Sequence, residues 1–197
     1  MASVEESTWE ALKAAGALKE GHFLLSSGKH SDKYLEKFDL LRNPRETEKA
    51  CAGFAERFRD ANIDVVVGPT TGGVILAFET GRQLGTSAAY AERASEGSLG
   101  REIRRGTTFA PGSRVLIVDD VMTTGGAIRE TLTALAPHPV EIVGIGVLVD
   151  RTGGTTSLDG VPLYALVKMD AKAWEAEECP LCKAGVPLVK PGTTAVK

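Results

Sequence analysis

Residues 115–127 read VLIVDDVMTTGGA, an order of residue types that suits the binding of a phosphorylated sugar. The apolar run at its start predicts a buried strand, and two carboxylates, Asp119 and Asp120, follow directly. Two carboxylates at the end of a buried strand repel each other and lose solvation, so packing gives little reason for them. They are reasonable side chains where they face the hydroxyl groups of a ribose or a metal ion.

The residues after the carboxylates are small: Thr123, Thr124, Gly125 and Gly126 stand just before a predicted helix. Backbone N–H groups at a helix start form a cradle for phosphate when no large side chains crowd them, and the two hydroxyl groups add donors. The stretch is neither a P-loop, which needs Gly-Lys-Ser/Thr, nor the dinucleotide motif Gly-x-Gly-x-x-Gly. An isolated Asp-Asp pair would favour a simple strand end with a polar turn, whereas the whole pattern favours a sugar-phosphate site.

Apolar runs and helical spacing alternate along the chain and define the elements that must position this loop. The predicted strands are residues 63–68, 86–93, 114–118, 140–150 and 161–169. The predicted helices are one capped by Ser7-Thr8 and ending near Gly16, one over 45–62 opened by Pro44, and two over 74–85 and 127–136. This alternation predicts an α/β fold, a mostly parallel five-stranded sheet flanked by helices.

Right-handed crossovers bring the strand-to-helix loops to one edge of such a sheet, where ligands bind. That edge collects residues 69–73, 119–126 and 150–154. Residues 1–40 do not fit the alternation, so we expect a small hood subdomain over the crevice, within a single domain that spans 1–197. Residues 95–113 are polar and glycine-rich, which predicts either a long loop or an exposed hairpin, and 175–197 form a C-terminal tail.

Composition narrows the class of function. The chain has 197 residues and a net charge of −3, with no basic excess that would indicate a nucleic-acid partner. No apolar run approaches the roughly 18 residues of a membrane span, and the acidic start MASVEESTWEALKAAG does not resemble a secretion signal. The odd count of three cysteines does not indicate a secreted disulfide framework. We therefore expect a cytoplasmic protein with no membrane or nucleic-acid partner.

VLIVDDVMTTGGA resembles the phosphoribosylpyrophosphate signature of the type I phosphoribosyltransferases. The resemblance implies a reaction at ribose C1, in which a nitrogen base displaces magnesium pyrophosphate, with Mg²⁺ held mainly through the substrate near Asp119 and Asp120. It implies that this acidic pair is catalytic and holds the ribose hydroxyls, while residues 122–127 hold the 5′-phosphate. The phosphoribosylpyrophosphate contacts that it implies are Asp119, Asp120, Val121, Met122, Thr123, Thr124, Gly125, Gly126, Ala127, Thr71, Gly72 and Arg93.

Three stretches resemble the orotate phosphoribosyltransferases in particular. They are GALKEGHFLLSSGKHSDKYLEK (16–37), LVDR (148–151) and CPLCKAGVPLVKPG, the last similar to a bacterial subgroup. The resemblance implies that Arg151 grips the orotate carboxylate, a match of donor fork and carboxylate that a purine base would not need. It implies further orotate contacts from Thr123, Tyr34 and Leu35. Taken alone, Arg151 could equally form a salt bridge with its neighbour Asp150.

The chain departs from the family pattern at three places where many members carry lysine. Ser26 stands before the Ser-Gly, Thr71-Gly72 replaces a tyrosine-lysine pair, and loop 94–106 contains arginines but no lysine. Departure of pyrophosphate still needs positive charge, and arginine can supply it. Arg93, directly after the second predicted strand, is the first candidate for this catalytic cation. The candidates for support are Lys29, His30, Arg104 and Arg105. The last two could equally be solvated surface charges.

Cys179-Pro-Leu-Cys182 has the spacing of half a zinc site, and no second cysteine pair completes it. Cys51, the histidines or a partner subunit could supply further ligands. Structural thiols, a structural zinc ion and a redox pair stay open as alternatives, in that order.

Three functions stay open on the sequence alone. The first is transfer of a phosphoribosyl group to orotate. The second is a purine phosphoribosyltransferase of the same fold, and the third is a regulator that binds phosphoribosylpyrophosphate without catalysis. The family resemblance also implies a homodimer in which the glycine-containing loop of one subunit covers the site of the other.

Overall fold

The helices and strands alternate along most of the chain in the computed structural model, which describes residues 2–25, 27–95, 99–154, 156, 158–169 and 172–191. The helices are α1 (Val4–Ala14), α2 (Lys37–Leu41), α3 (Pro44–Phe58), α4 (Gly72–Leu84), α5 (Gly126–Leu135) and α6 (Pro180–Lys183). The strands are β1 (Leu18–Leu24), β2 (His30–Leu35), β3 (Val65–Pro69), β4 (Ser87–Arg93), β5 (Arg101–Ile103), β6 (Ser113–Met122), β7 (Val140–Asp150), β8 (Leu163–Lys168) and β9 (Ala173–Trp174). Within these described ranges, none of the helices combines the length and the apolar character needed to cross a membrane.

The larger sheet has six strands in the order β5-β4-β3-β6-β7-β8. The five strands from β4 to β8 in this order run parallel, which confirms the predicted α/β class and its parallel strands. The sixth strand, β5, pairs antiparallel with β4, so that Arg93 lies opposite Arg101. Of the two alternatives for residues 95–113, the structure therefore shows a hairpin at the start of this stretch. The prediction of five strands was one too few, because a three-residue strand is too short to show a period.

Strand β6 carries the hydrophobic core on both faces of the sheet. Leu116 and Val118 pack with side chains of α1, α3 and α4, whereas Val115 and Ile117 pack with side chains of α5. All four side chains are fully buried. A strand covered on both faces reads as a continuous apolar run, which is typical of a parallel sheet between layers of helices.

Strand β6 is longer than its apolar run indicates. It was predicted to end at Val118, but it continues through Asp119 and Asp120 to Met122. The extra length follows from the pairing with β7, which extends to Met122 opposite Asp150. The two carboxylates are therefore fixed by the sheet backbone and do not lie in a flexible loop.

The N-terminal helix begins earlier than predicted. It starts at Val4, not after Ser7-Thr8, because Ser3 and Glu6 form a capping box. The Glu6 amide donates to Ser3 Oγ at 3.1 Å, and the Ser3 amide donates to Glu6 Oε2 at 2.7 Å. Thr8 lies inside the helix, where its hydroxyl donates to the Val4 carbonyl at 2.8 Å.

A second, three-stranded sheet has the order β1-β2-β9 and joins the two ends of the chain. Strands β1 and β2 form an antiparallel hairpin, and Trp174 of β9 lies opposite His30 of β2. The last described stretch also reaches this sheet, since the Leu24 amide donates to the Val189 carbonyl at 2.9 Å. The sequence predicted the extended hairpin but not β9, α2 or α6, which are too short to show a period.

Candidate functional site

The candidate site lies at the edge of the larger sheet where β3, β6 and β7 end. Helix α4 begins three residues after the end of β3, and α5 begins four residues after the end of β6. The backbone amide of Arg151 donates to the carbonyl of Met122 at 2.9 Å, which ties the end of β7 to the start of the loop after β6. The edge thus collects the three loops predicted from the sequence.

The loop after β6 has the form of an anion site. Gly125 occupies the cap position of α5 with a φ of +76°, a left-handed conformation that favours glycine, and no side chain caps this helix. The backbone N–H groups at the start of α5 are therefore directed toward an adjacent cavity. The cavity has a volume of about 80 Å³ and is lined by Asp119, Val121, Met122, Thr123, Thr124, Gly125, Gly126, Ala127 and Ile128. Every residue predicted to bind phosphate around this loop is therefore brought together in one cavity.

The two carboxylates of β6 differ in their surroundings, although both are buried. Burial, and next the neighbouring charge of Asp120, raises the pKa of Asp119 from its ordinary value of 3.8 to about 7. One oxygen of Asp119 accepts from the Asp120 amide at 2.8 Å. Asp120 has a cationic partner, because Lys37 Nζ lies 2.9 Å from its Oδ1 and 2.8 Å from its Oδ2. The pair therefore combines one neutralised carboxylate with one whose charge is poorly compensated.

The start of α4 is packed too tightly for a side chain. A Cβ on Gly72 would overlap Asp120 Oδ2 and would lie 3.0 Å from Leu41 Cδ1. A Cβ on Gly73 would lie 2.6 Å from the ring of Pro69. The lysine that many family members carry at position 72 is thus incompatible with this arrangement. What this loop offers a ligand is the Thr71 hydroxyl and the backbone N–H groups that begin α4.

The arginines of the β4–β5 hairpin fall into two groups. Arg101 is buried, and its Nη1 donates at 3.1 Å to the Thr70 carbonyl, the Thr70 hydroxyl and the Ala91 carbonyl. Its Nε lies 3.2 Å from Glu130 Oε2, an ion pair that lacks the alignment of a hydrogen bond. Arg101 therefore holds the loop after β3 in place. Desolvation by its surroundings lowers the pKa of Arg101 from the usual value for arginine.

Arg93 is exposed at the end of β4, and no side chain in the described ranges forms an ion pair or hydrogen bond with it. Arg104 instead pairs with Glu102 at 2.8 Å, and Arg105 pairs with Glu92 at 2.9 Å. Exposed pairs of this kind contribute little to stability and dissociate readily. Arg93 is therefore the hairpin arginine that is available to a ligand without first losing a partner.

Arg151 lies half-buried beside the second strand of the small sheet. Desolvation lowers its pKa, and the charge on Tyr34 is near enough to oppose that shift. Burial also raises the pKa of Tyr34. The alternative salt bridge to Asp150 is not formed, because Asp150 Oδ1 accepts from the amide and hydroxyl of Thr152 at 2.8 and 2.7 Å. Among the described residues, no carboxylate pairs with the Arg151 guanidinium, which leaves it able to accept an anion.

Several predicted residues have other surroundings. Leu35, expected to contact the base, belongs to the hydrophobic core because the strand alternation turns it inward. Lys29, a candidate substitute for the missing lysine, lies 2.9 Å from Glu175 at the C-terminal segment. His30, a second candidate for support, lies in a cluster with Cys182. Ser26 and part of loop 94–106, namely 96–98, fall outside the described residues.

Sequence reasoning missed two residues of the site, Lys37 and Arg101. Lys37 follows the Tyr34-Leu35 pair closely, but the short helix α2 that directs it toward Asp120 gives no periodic signal. Arg101 stands in a run of charged residues that is typical of a solvated surface, and only the pairing of β5 with β4 shows that it is buried. A lone lysine before a short apolar run was the available signal for Lys37.

Comparison with known proteins agrees with this geometry. Residues 39–176 match the sequence profile of the family described as "Phosphoribosyl transferase domain". The orotate phosphoribosyltransferase of Caldanaerobacter subterraneus subsp. tengcongensis is 44% identical over 189 residues, which cover 96% of this chain and 97% of the relative. The orotate phosphoribosyltransferase of Caldicellulosiruptor bescii is 45% identical over 181 residues, covering 92% of this chain and 93% of the relative.

The architecture is also found among solved structures. The orotate phosphoribosyltransferase of Aeropyrum pernix has a TM-score of 0.68 to this chain at 30% sequence identity. The match covers 81% of this chain and 92% of that one.

Proposed function

Because the chain belongs to the phosphoribosyl transferase domain family, we propose that it transfers the 5-phosphoribosyl group of phosphoribosylpyrophosphate to orotate. The products are orotidine 5′-monophosphate and pyrophosphate, a step of pyrimidine biosynthesis. In this reaction a bond forms between ribose C1 and a ring nitrogen of orotate, and the bond from C1 to the pyrophosphate oxygen breaks. Relatives that match over nearly the full chain support this assignment.

The ribose 5-phosphate end of the substrate fits the loop after β6. We assign the 5′-phosphate to the cavity at the start of α5, where backbone N–H groups and the hydroxyls of Thr123 and Thr124 converge. Asp119 and Asp120 stand one turn of backbone away on β6 and accept hydrogen bonds from the ribose hydroxyls. Since both carboxylates are held by the sheet, ribose C1 is fixed relative to the two loops on either side.

The pyrophosphate end fits the loop after β3 and the hairpin arginine. We assign it to Thr71, the N-terminus of α4 at Gly72 and the guanidinium of Arg93. Arg101 does not contact substrate in this proposal but holds Thr70, so it is a positioning residue. Preorganised positive charge on the leaving group lowers the barrier by roughly 3 kcal/mol per good contact.

Mg²⁺ fits the same edge of the sheet. The two carboxylates of β6 are oxygen donors of the kind that Mg²⁺ prefers, and the raised pKa of Asp119 reflects a buried charge that the protein alone compensates poorly. We propose that Asp119 and Asp120 lie near a Mg²⁺ ion that is bound mainly through pyrophosphate. When bound, the ion neutralises charge on the departing group.

The observation that carries orotate as the acceptor is the state of Arg151. It is a half-buried guanidinium without a carboxylate partner among the described residues, and it is tied through its amide to the start of the phosphate loop. Orotate carries a carboxylate that fits this planar fork of donors, whereas a purine base has none. Tyr34 and Thr123 are the further residues that we place against the orotate ring.

We propose that the β1-β2-β9 sheet acts as a hood over the base, within a single domain that includes the C-terminal segment. The support is that β2 brings Tyr34 near Arg151 and that the next element, α2, brings Lys37 to Asp120. Both contacts cross from the hood to the sheet edge. The hood therefore shields the reacting atoms from water when substrates are bound.

We propose a homodimer, formed through the face that α2 and α4 share. This face exposes Phe38, Ile75 and Phe78, the last of them 67% exposed. Exposed aromatic side chains in one patch are typical of a protein–protein interface. Light scattering should give twice the chain mass for the wild type and the single-chain mass for Phe78→Glu. A single-chain mass for the wild type would contradict the dimer.

We propose the cytoplasm as the compartment of the protein. All three cysteines are free thiols, a state that reducing compartments maintain.

The test of the function is a spectrophotometric assay that follows the loss of orotate absorbance with phosphoribosylpyrophosphate and Mg²⁺. We expect turnover by the wild type, and a rise in the KM for orotate of about 100-fold in Arg151→Ala, which loses a bidentate charge-assisted contact. Arg93→Ala should instead lower kcat by about 100-fold, since its charge acts on the leaving group. Arg104→Ala removes a neighbouring arginine of the same hairpin and should change neither constant.

Calorimetry with phosphoribosylpyrophosphate separates the outcomes. Binding without orotate turnover would exclude orotate as the acceptor and favour a purine acceptor or a non-catalytic regulator. An unchanged KM in Arg151→Ala, with turnover intact, would remove Arg151 from the base site while keeping the reaction.

A further inference from the structure

Four side chains that could bind a metal converge on one point in the hood, away from the sheet edge. They are His22, His30, Cys179 and Cys182, and their ligand atoms all lie within 4.8 Å of one another. The first two come from the β1–β2 hairpin and the last two from the segment that contains α6. His22 and Cys179 are 157 positions apart in the chain. The half-site seen in the sequence is therefore completed by two histidines.

The separations of the ligand atoms match a small coordination polyhedron. His22 Nε2 lies 2.9 Å from His30 Nδ1, 3.4 Å from Cys179 Sγ and 3.7 Å from Cys182 Sγ. His30 Nδ1 lies 3.2 Å from Cys182 Sγ. A tetrahedral zinc ion with usual Zn–N and Zn–S bonds places its ligand atoms roughly 3.3 to 3.8 Å apart. A shift of a few tenths of an ångström converts the observed cluster into that geometry.

The hydrogen bond made by the other nitrogen of His22 fixes its tautomer. His22 Nδ1 lies 2.8 Å from the carbonyl of Val186, which can only accept, so Nδ1 carries the proton. The lone pair is then on Nε2, which points to the centre of the cluster. Histidines that bind metals in proteins almost always donate their second N–H to a carbonyl or carboxylate in this way.

Without a cation, this cluster cannot satisfy all of its members. His22 Nε2 accepts a single proton, yet three groups of the cluster lie within 3.7 Å of it. Three of the four residues are buried, so water does not supply the missing partners. Two thiolates, two neutral imidazoles and one divalent zinc ion have no net charge, which suits a buried site. Sulfur and imidazole donors with no described carboxylate among them favour zinc over Mg²⁺ or Ca²⁺.

We propose that His22, His30, Cys179 and Cys182 bind a structural zinc ion that fastens the C-terminal segment to the hood hairpin. Four protein ligands complete a tetrahedron and leave no open position, which is typical of a structural zinc and not a catalytic one. The ion holds β2 from the side opposite to its active-site end, where Tyr34 leads into α2. The zinc site thus stabilises the element that carries Tyr34 and Lys37 to the reacting edge.

The first experiment measures metal in the full-length protein. The wild type is incubated with Zn²⁺ under reducing conditions, desalted and analysed by mass spectrometry of the elements, with one zinc per chain expected. Cys182→Ala and His30→Ala should retain less than a tenth of that amount. Cys51→Ala and His138→Ala remove the same residue types elsewhere in the chain and should retain one zinc. Zinc-free wild type after this treatment, or full zinc content in both site variants, would overturn the proposal.

Cobalt provides a readout that does not depend on how the variants fold. Co²⁺ bound to the wild type should give the visible d–d and thiolate charge-transfer bands of a tetrahedral sulfur-nitrogen site. Cys182→His keeps four ligands, so it should still bind Co²⁺, with the charge-transfer absorbance reduced by about half as one of two thiolates is lost. A Co²⁺ spectrum without thiolate bands, or a stable Cys179–Cys182 disulfide in protein purified under reducing conditions, would contradict the assignment.

Removal of the metal should loosen the hood. Because Cys182 is exposed, a chelator can reach the ion, and its removal should lower the Tm by roughly 5 °C or more. Added Zn²⁺ should restore the Tm, and added Mg²⁺ should not. A Tm that is unchanged by a chelator that has removed all zinc would refute the structural role.

Discussion

The raised pKa of Asp119 leads to a prediction about stability. Between pH 3.8 and about 7, the folded protein keeps a proton on Asp119 that the unfolded chain has released. Stability from this proton is fully present below the ordinary pKa and is lost as the pH rises through the folded pKa. Over the two pH units from 5 to 7, plus the remaining titration up to pH 8, the loss amounts to about 3 kcal/mol.

Asp119→Asn replaces the titrating group with a neutral one of the same shape, and its amide oxygen can still accept from the Asp120 backbone. We expect the free energy of unfolding of the wild type to fall by about 3 kcal/mol more than that of Asp119→Asn between pH 5 and pH 8. Any change in packing caused by the amide is present at both pH values and cancels in this difference. Urea unfolding at the two pH values measures it directly.

Asp159→Asn is the control, because it removes the same charge from an exposed turn. It should keep the pH dependence of the wild type. Equal pH dependence in the wild type and Asp119→Asn would refute the reasoning that a buried, poorly compensated carboxylate titrates near neutrality at this position. The same variant should lose most of its activity, so a gain in stability at pH 8 and a loss of kcat/KM are expected together.

Three further predictions concern the groups around this carboxylate. Lys37→Met should raise the pKa of Asp119 further above 7, since Lys37 is one of the cations that lower it, and should move the acidic limb of the pH profile of kcat/KM to higher pH; an unmoved limb would separate the two groups. Arg101→Ala breaks three hydrogen bonds of a buried guanidinium and should lower the free energy of unfolding by about 2–4 kcal/mol, measured by urea unfolding; a change below about 0.5 kcal/mol would show that the loop after β3 is held by other groups. Gly72→Ala should cost about 2 kcal/mol or more by steric overlap, whereas Gly126→Ala, whose added Cβ would have its nearest neighbour at 3.6 Å, should change stability by less than about 0.5 kcal/mol; equal effects in thermal unfolding would contradict the packing argument.

The sequence predicted the larger sheet and the loop after β6 because both depend on local, continuous patterns. The apolar run of β6 and the small residues from Thr123 onward are read directly from the chain. The sequence did not predict Lys37, Arg101 or the two histidines of the zinc cluster. Each of these residues acquires its role through a contact with a distant element, and single-sequence periodicity carries no information about such contacts.

The position of Lys37 also explains one departure from the family pattern. Helix α2 supplies both Lys37, which reaches Asp120, and Leu41, which would lie 3.0 Å from a Cβ on Gly72. A glycine at position 72 therefore lets α2 and the carboxylate approach each other, and a lysine there would occupy the space that they share. The cation beside the acidic pair comes from α2 in this chain, so the absence of lysine after β3 and the presence of Lys37 form one arrangement. A lysine introduced at position 72 should consequently disrupt the site, because it displaces Asp120 before its own charge can reach the pyrophosphate.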